Sequence, residues 1–185
     1  MEAITVSARR VLVLGGARSG KSAYAQRLAE ATAAERIYLA TAEAGDEEMA
    51  DRIARHKEAR RDGWMTREEP LDLVEALVAE ARTGRIVLVD CLTLWVANLM
   101  FSGRDVEAET ARLVHAVGAL AGPAVFVSNE VGLSLVPETR LGREFRDLQG
   151  RANAAVAQVA DAVVFIAAGL PTLLKPAPRL EWRLG

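Results

Sequence analysis

The chain has 185 residues, 51% of them hydrophobic and 26% charged, with 23 basic side chains against 25 acidic ones. That length suits one compact domain with a sizeable core, and a formal charge of −2 gives nucleic acid no basic footprint to bind. The single cysteine, Cys91, excludes an internal disulfide and a cysteine-rich zinc site, which points to a reducing cytoplasm.

Residues 1–9 lack the apolar run of a signal peptide and are expected to form an extension ahead of one domain over 10–185. Short β-branched apolar runs then alternate with longer amphipathic ones, the pattern of strands and crossover helices in a parallel sheet. In chain order, the predicted elements are a strand over 10–14, a helix over 21–31, a strand over 36–40 and helices over 46–61 and 71–82. Pro70 suits the start of that last helix and Gly84 its end. A strand over 85–90, a helical stretch after Leu92, a helix over 105–120, a strand over 124–128, a helix over 138–160 and a strand over 162–167 complete the reading. The longest apolar stretch, 86–101, is interrupted by Asp90 and falls short of the roughly 20 residues a membrane span requires, so no span is expected. The predicted class is α/β, a largely parallel sheet with helices on both faces.

Where the first strand meets the first helix, Gly15, Gly16, Ala17, Arg18, Ser19, Gly20, Lys21 and Ser22 match GxxxxGK[ST] at every fixed position. Small residues let the backbone curl so that amides face phosphate oxygens, and the helix N-terminus adds a favourable dipole. In this P-loop reading Lys21 reaches the outer phosphates and Ser22 offers its hydroxyl to Mg2+. Asp90 ends a buried apolar strand, Ile86–Val89, and supplies the second acidic anchor such sites use; an aspartate there equally suits a strand end or a helix cap. His56 falls beside Met49 and Ile53 on one face of the helix over 46–61, where an imidazole is either a partly exposed surface residue or a nucleophile toward an α-phosphorus. Asn129 and Glu130 follow a strand, on the side where α/β proteins place ligands. The arginines after them, Arg140, Arg143, Arg146 and Arg151, read as a solvated helical face or as part of a site. Trp95, Met100 and Phe101 read as core or subunit contact, His115 as structural or exposed, and Cys91 as an inert small hydrophobe.

Several ordered segments carry a more specific resemblance: GGARSGKS at 15–22, YLATA at 38–42, DEEMADRIARHKEAR at 46–60 and W-x-T-x-E at 64–68. VDCLTLWVANL at 89–99 and SNEVGLSLVPETRLGREFRDLQGRANAAVA at 128–157 continue it. The chain resembles the bifunctional adenosylcobinamide kinase and adenosylcobinamide-phosphate guanylyltransferase family of cobalamin biosynthesis. The resemblance implies two reactions. ATP or GTP phosphorylates the aminopropanol hydroxyl of adenosylcobinamide; GTP then transfers GMP to that phosphate through a guanylylated histidine, giving adenosyl-GDP-cobinamide and pyrophosphate. It also implies that His56 is the guanylylated residue. Nucleotide contacts are implied at the P-loop, at Ala40, Thr41 and Ala42, at Lys57, Glu58, Ala59 and Arg60, at Glu68 and at Asp90, with Ser22 and Asp90 serving Mg2+ and the subunits forming a homotrimer. This strand-end acid is Glu in some relatives and Asp90 here, which changes its reach. Two other readings of the P-loop remain: a small-molecule kinase in which His56 is incidental, and a nucleotide-dependent switch that performs no transfer.

Overall fold

The computed structural model describes residues 6–32, 35–43 and 63–177. Seven strands form one sheet in the order β3-β2-β4-β5-β1-β6-β7. They are β1 (Arg10–Gly15), β2 (Glu35–Ala40), β3 (Trp64–Glu68), β4 (Arg85–Asp90), β5 (Ala124–Val127), β6 (Ala162–Ala167) and β7 (Leu170–Lys175). All pair in parallel except β7, which returns antiparallel along β6. Five α-helices lie among the described residues: α1 (Lys21–Glu30), α2 (Leu73–Glu80), α3 (Leu92–Phe101), α4 (Val106–Ala119) and α5 (Arg140–Val159).

The alternation of side chains along each strand distributes them between two cores. Leu12 and Leu14 of β1 join Val87, Val89 and Phe126 in a core with residues of α2, α3, α4 and α5. Val11 and Val13 join Leu88, Val125, Val127 and Val164 on the other face, where α1 contributes Ala25 and Ala29. Lys21, Ala25 and Ala29 recur at every fourth position, so α1 lies on the sheet along a stripe of small residues and brings its lysine to the end of β1. Trp95 is fully buried and donates its indole N–H to the Leu71 carbonyl at 3.0 Å, whereas Phe101 is 79% exposed. Core membership therefore holds for Trp95 and not for Phe101.

Side-chain caps set the starts of α4 and α5, and some expected boundaries shift. Asp105 caps α4 by accepting the amides of Glu107 and Ala108, both at 3.0 Å. Thr139, rather than Glu138, begins the last helix, accepting the Gly142 amide at 3.1 Å. For α2, the cap position is Asp72, two residues beyond Pro70, and Gly84 (φ 81°) turns the chain into β4 instead of ending the helix. Two strands, β3 and β7, were not expected. They are the sheet's edges, and most of their side chains are exposed. The expected helix over 46–61 lies outside the described residues.

Candidate nucleotide and phosphoryl-transfer site

The carboxyl ends of the parallel strands carry the site. At the end of β1 the chain enters the loop through Gly15 at φ +152°, where a Cβ atom would stand 2.4 Å from the Ile166 carbonyl oxygen and 2.8 Å from Ser19 Oγ. Arg18 (φ 55°) and Gly20 (φ 98°) adopt left-handed conformations that close the loop onto α1, whose first turn has no side-chain cap. A helix start of that kind, preceded by a tight glycine-rich turn, is suited to anions.

The loop is held by backbone groups from distant segments. Glu130 donates its amide to the Gly15 carbonyl at 3.1 Å, and Gly169, in the turn between β6 and β7, donates its own to the Ser19 carbonyl at 2.9 Å. The ammonium of Lys21, 7% exposed, donates to the Gly16 carbonyl at 2.5 Å, so the lysine arches over the loop. Ser19 Oγ is buried and has no hydrogen-bond partner among the described residues. A buried, unsatisfied hydroxyl is costly unless something is meant to meet it, and an incoming phosphate oxygen is of the right chemistry.

A row of residues runs across the sheet beside this loop. Glu68 of β3 is in register with Ala40 of β2, Ala40 with Asp90 of β4, and Asp90 with Val127 of β5. Asp90 Oδ2 accepts the Tyr38 hydroxyl at 2.6 Å, and the Tyr38 ring meets Trp64 edge-on at 6.1 Å. Thr41, fully buried, joins the ends of β2 and β4. Its hydroxyl donates to the Cys91 carbonyl at 2.7 Å and accepts the Cys91 amide at 2.9 Å, while its amide donates to the Asp90 carbonyl at 3.2 Å. Asn98 donates its side-chain amide to the carbonyls of Thr41 (2.8 Å) and Pro70 (3.1 Å). Burial, reinforced by the Asp90 charge, pushes the Cys91 thiol up to about 11, so it stays protonated and unreactive at neutral pH.

Expected site residues thus divide into those the fold brings together and those outside the described residues. Gly15 to Ser22, Ala40 to Ala42, Glu68 and Asp90 all lie at the same end of the sheet. His56, Lys57, Glu58, Ala59 and Arg60 lie outside the described residues. On α5, Arg140, Arg143 and Arg151 are exposed and Arg146 is half-buried, with Arg146 paired to Asp147 and Arg151 to Glu107. His115 is exposed on α4.

One set of polar residues was not anticipated from the sequence. Gln149 and Asn153 lie on the buried side of α5 and meet Ser128 beneath the end of β5. The spacing of four along a helix was the available signal, but their partners come from elsewhere in the chain.

A family model described as cobinamide kinase / cobinamide phosphate guanyltransferase matches residues 11–174. The bifunctional adenosylcobalamin biosynthesis protein CobP of Pseudomonas aeruginosa is 46% identical over 171 residues, covering 91% of this chain and 99% of its own. CobU of Escherichia coli, with the same descriptive name, is 37% identical over 180 residues, covering 89% and 99%. A protein of Pyrococcus horikoshii OT3 solved in a structural study superposes with a TM-score of 0.51 at 13% identity, covering 91% of this chain and 87% of that one; it shares the fold. With the complete phosphate-loop motif at the first strand–helix junction of a mostly parallel sheet, the fold is that of P-loop NTPases, and the chain belongs to the cobinamide kinase / cobinamide phosphate guanyltransferase family of enzymes.

Proposed function

We propose that this enzyme phosphorylates adenosylcobinamide with ATP or GTP and then transfers GMP from GTP to the new phosphate. The products are adenosyl-GDP-cobinamide and pyrophosphate. The observation that carries the reading is the match of the family model across 11–174, together with a phosphate loop shaped for anions at the end of β1. In the first reaction the loop amides and Lys21 hold the β- and γ-phosphates while the acceptor hydroxyl approaches in line. Lys21 exchanges the Gly16 carbonyl for phosphate oxygen as nucleotide enters.

In the second reaction the imidazole of His56 attacks the α-phosphorus of GTP. The Nε2–P or Nδ1–P bond forms as the bond to pyrophosphate breaks, and the corrinoid phosphate then displaces histidine to take GMP. Lys57 to Arg60, Ala40 to Ala42 and Glu68 complete the nucleotide contacts in this proposal. The donor set suits Mg2+: a serine hydroxyl at the start of α1 and a carboxylate at the end of β4 are hard oxygen ligands, and Mg2+ is ordinarily held by one or two protein groups plus phosphates and water. Ser22 and Asp90 are the residues that would hold it, and it would neutralise charge on the transferring phosphate. The proposed working form is a cytoplasmic homotrimer whose single domain spans 10–185 after an extension over 1–9. Among the described residues, no helix is long and apolar enough to cross a membrane.

Incubation with α-labelled GTP and Mg2+ tests the covalent route. The protein is expected to acquire acid-labile, base-stable label that His56→Ala abolishes. An unlabelled wild-type protein, or full labelling of His56→Ala, rejects it. Kinase activity in His56→Ala without any adduct in the wild type would favour a simple small-molecule kinase instead.

A further inference from the structure

Donor and acceptor counting orients the buried polar cluster beneath the end of β5, in which Gln149 Oε1 has no partner among the described residues. Ser128 donates its hydroxyl proton to Asn153 Oδ1 at 2.6 Å and accepts from Gln149 Nε2 at 2.8 Å. Having one proton, Ser128 must accept in its 3.4 Å contact with Thr93, so Thr93 is the donor there. Thr93 Oγ1 in turn accepts the backbone amide of Asn129 at 2.8 Å and its side-chain amide at 3.2 Å. Asn153 Oδ1 also accepts from Gln149 Nε2 at 2.8 Å, which fixes the orientation of the Asn153 amide. Both Nδ2 protons therefore point the other way, one to the Asn129 carbonyl at 3.0 Å and one to Glu130 Oε1 at 2.9 Å.

This chain of bonds ends on one carboxylate. Ser128, Gln149 and Asn153 are buried at 0%, 0% and 3% exposure, so the cluster forms a rigid base within the fold. Glu130 itself is only half-buried, and its second oxygen has no hydrogen-bond partner among the described residues. Its position is fixed from a second direction by the bond from its amide to Gly15, the first residue of the phosphate loop. Strand order places this segment between the end of β4, which carries Asp90, and the end of β1, which carries the loop. A carboxylate held by one oxygen on a buried amide, beside a phosphate loop, has the form of a proton acceptor rather than of a core residue.

We propose that Glu130 is the proton acceptor of the phosphorylation half-reaction, positioned by Asn153. This rests on the kinase reading above. As the acceptor hydroxyl oxygen bonds to the γ-phosphorus, its proton passes to Glu130; the bond from the γ-phosphorus to the β,γ-bridging oxygen breaks, and the nucleoside diphosphate leaves with that electron pair. The protonated carboxyl then returns its proton to solvent. Guanylyl transfer to an existing phosphate has no hydroxyl proton to remove, so it does not require this group.

The experiment measures both half-reactions separately in the full-length protein, using adenosylcobinamide for the first and presynthesised adenosylcobinamide phosphate for the second. Glu130→Gln keeps the bond from Asn153, and its kcat for phosphorylation is expected to fall about 100-fold or more while the nucleotide KM and guanylyl transfer stay within threefold. Glu130→Ala is expected to lose a similar factor and to recover part of it with added formate, an effect that a purely structural role does not produce. Phosphorylation within threefold of wild type in Glu130→Gln overturns the assignment. So does an equal loss in both half-reactions with a raised nucleotide KM, which would make Glu130 a support of the loop. A wild-type protein that binds nucleotide but phosphorylates no cobinamide overturns the kinase reading itself, and the assignment with it.

Discussion

Gly15 shows how one missing methyl group permits the site. At φ +152° the backbone occupies a conformation nearly reserved for glycine, and any Cβ would collide with the Ile166 carbonyl oxygen at 2.4 Å. Backbone cannot move aside as a flexible side chain does, so Gly15→Ala forces the loop out of shape at a cost of about 1–3 kcal/mol. The expected outcome is a nucleotide Kd raised about tenfold or more with the fold retained, read by isothermal titration and far-UV circular dichroism. An unchanged Kd would mean that the loop grips phosphate in some other shape. Gly15 and its loop were legible in the sequence because the whole motif is contiguous. The cluster under Glu130 was not, because Thr93, Ser128, Gln149 and Asn153 converge from three separate elements and no local pattern joins them.

Among the elements, those with a buried face were readable and those without one were not. Strand β4 shows four buried residues in succession and was found; β3 has only half-buried and exposed side chains, and β7 only one that is not exposed. Edge strands need no continuous apolar pattern, and β7 even contains Pro171, which an edge tolerates. The start of α5 shifted because the Thr139 cap took precedence over the apolar period. At α4 the cap is strong: Asp105 accepts two amides that are otherwise unsatisfied. Asp105→Ala is expected to lower stability by about 1 kcal/mol. Urea unfolding should show a lower midpoint at unchanged m, and a midpoint equal to wild type would remove the cap from the account.

Across the whole molecule, Asp161 joins the beginnings of two neighbouring strands that are far apart in sequence. Its carboxylate accepts the amides of Arg9 at 2.9 Å and Arg10 at 2.8 Å, and its own amide donates to the Arg10 carbonyl at 2.9 Å. Burial works to raise its pKa, but the two amides and the Arg10 charge outweigh that and hold the carboxyl below its ordinary value of 3.8. A group depressed on folding stabilises fully above its unfolded pKa and loses that contribution as pH falls through the folded one. Asp161→Asn is therefore expected to have a lower Tm than wild type at pH 7, with the gap narrowing as pH falls below 3.8. Thermal melts across that range check it, and a gap that stays constant into strong acid would contradict the linkage.

The two amides that steady the phosphate loop, from Glu130 and Gly169, belong to chain made long after the loop itself. During synthesis the glycine-rich turn is made before both of them, and its bond to Gly169 must wait for the β6–β7 hairpin. A chain that stops before β6 has the motif and the Glu130 amide but lacks the Gly169 amide, so the last of these bonds closes only when the β6–β7 hairpin forms.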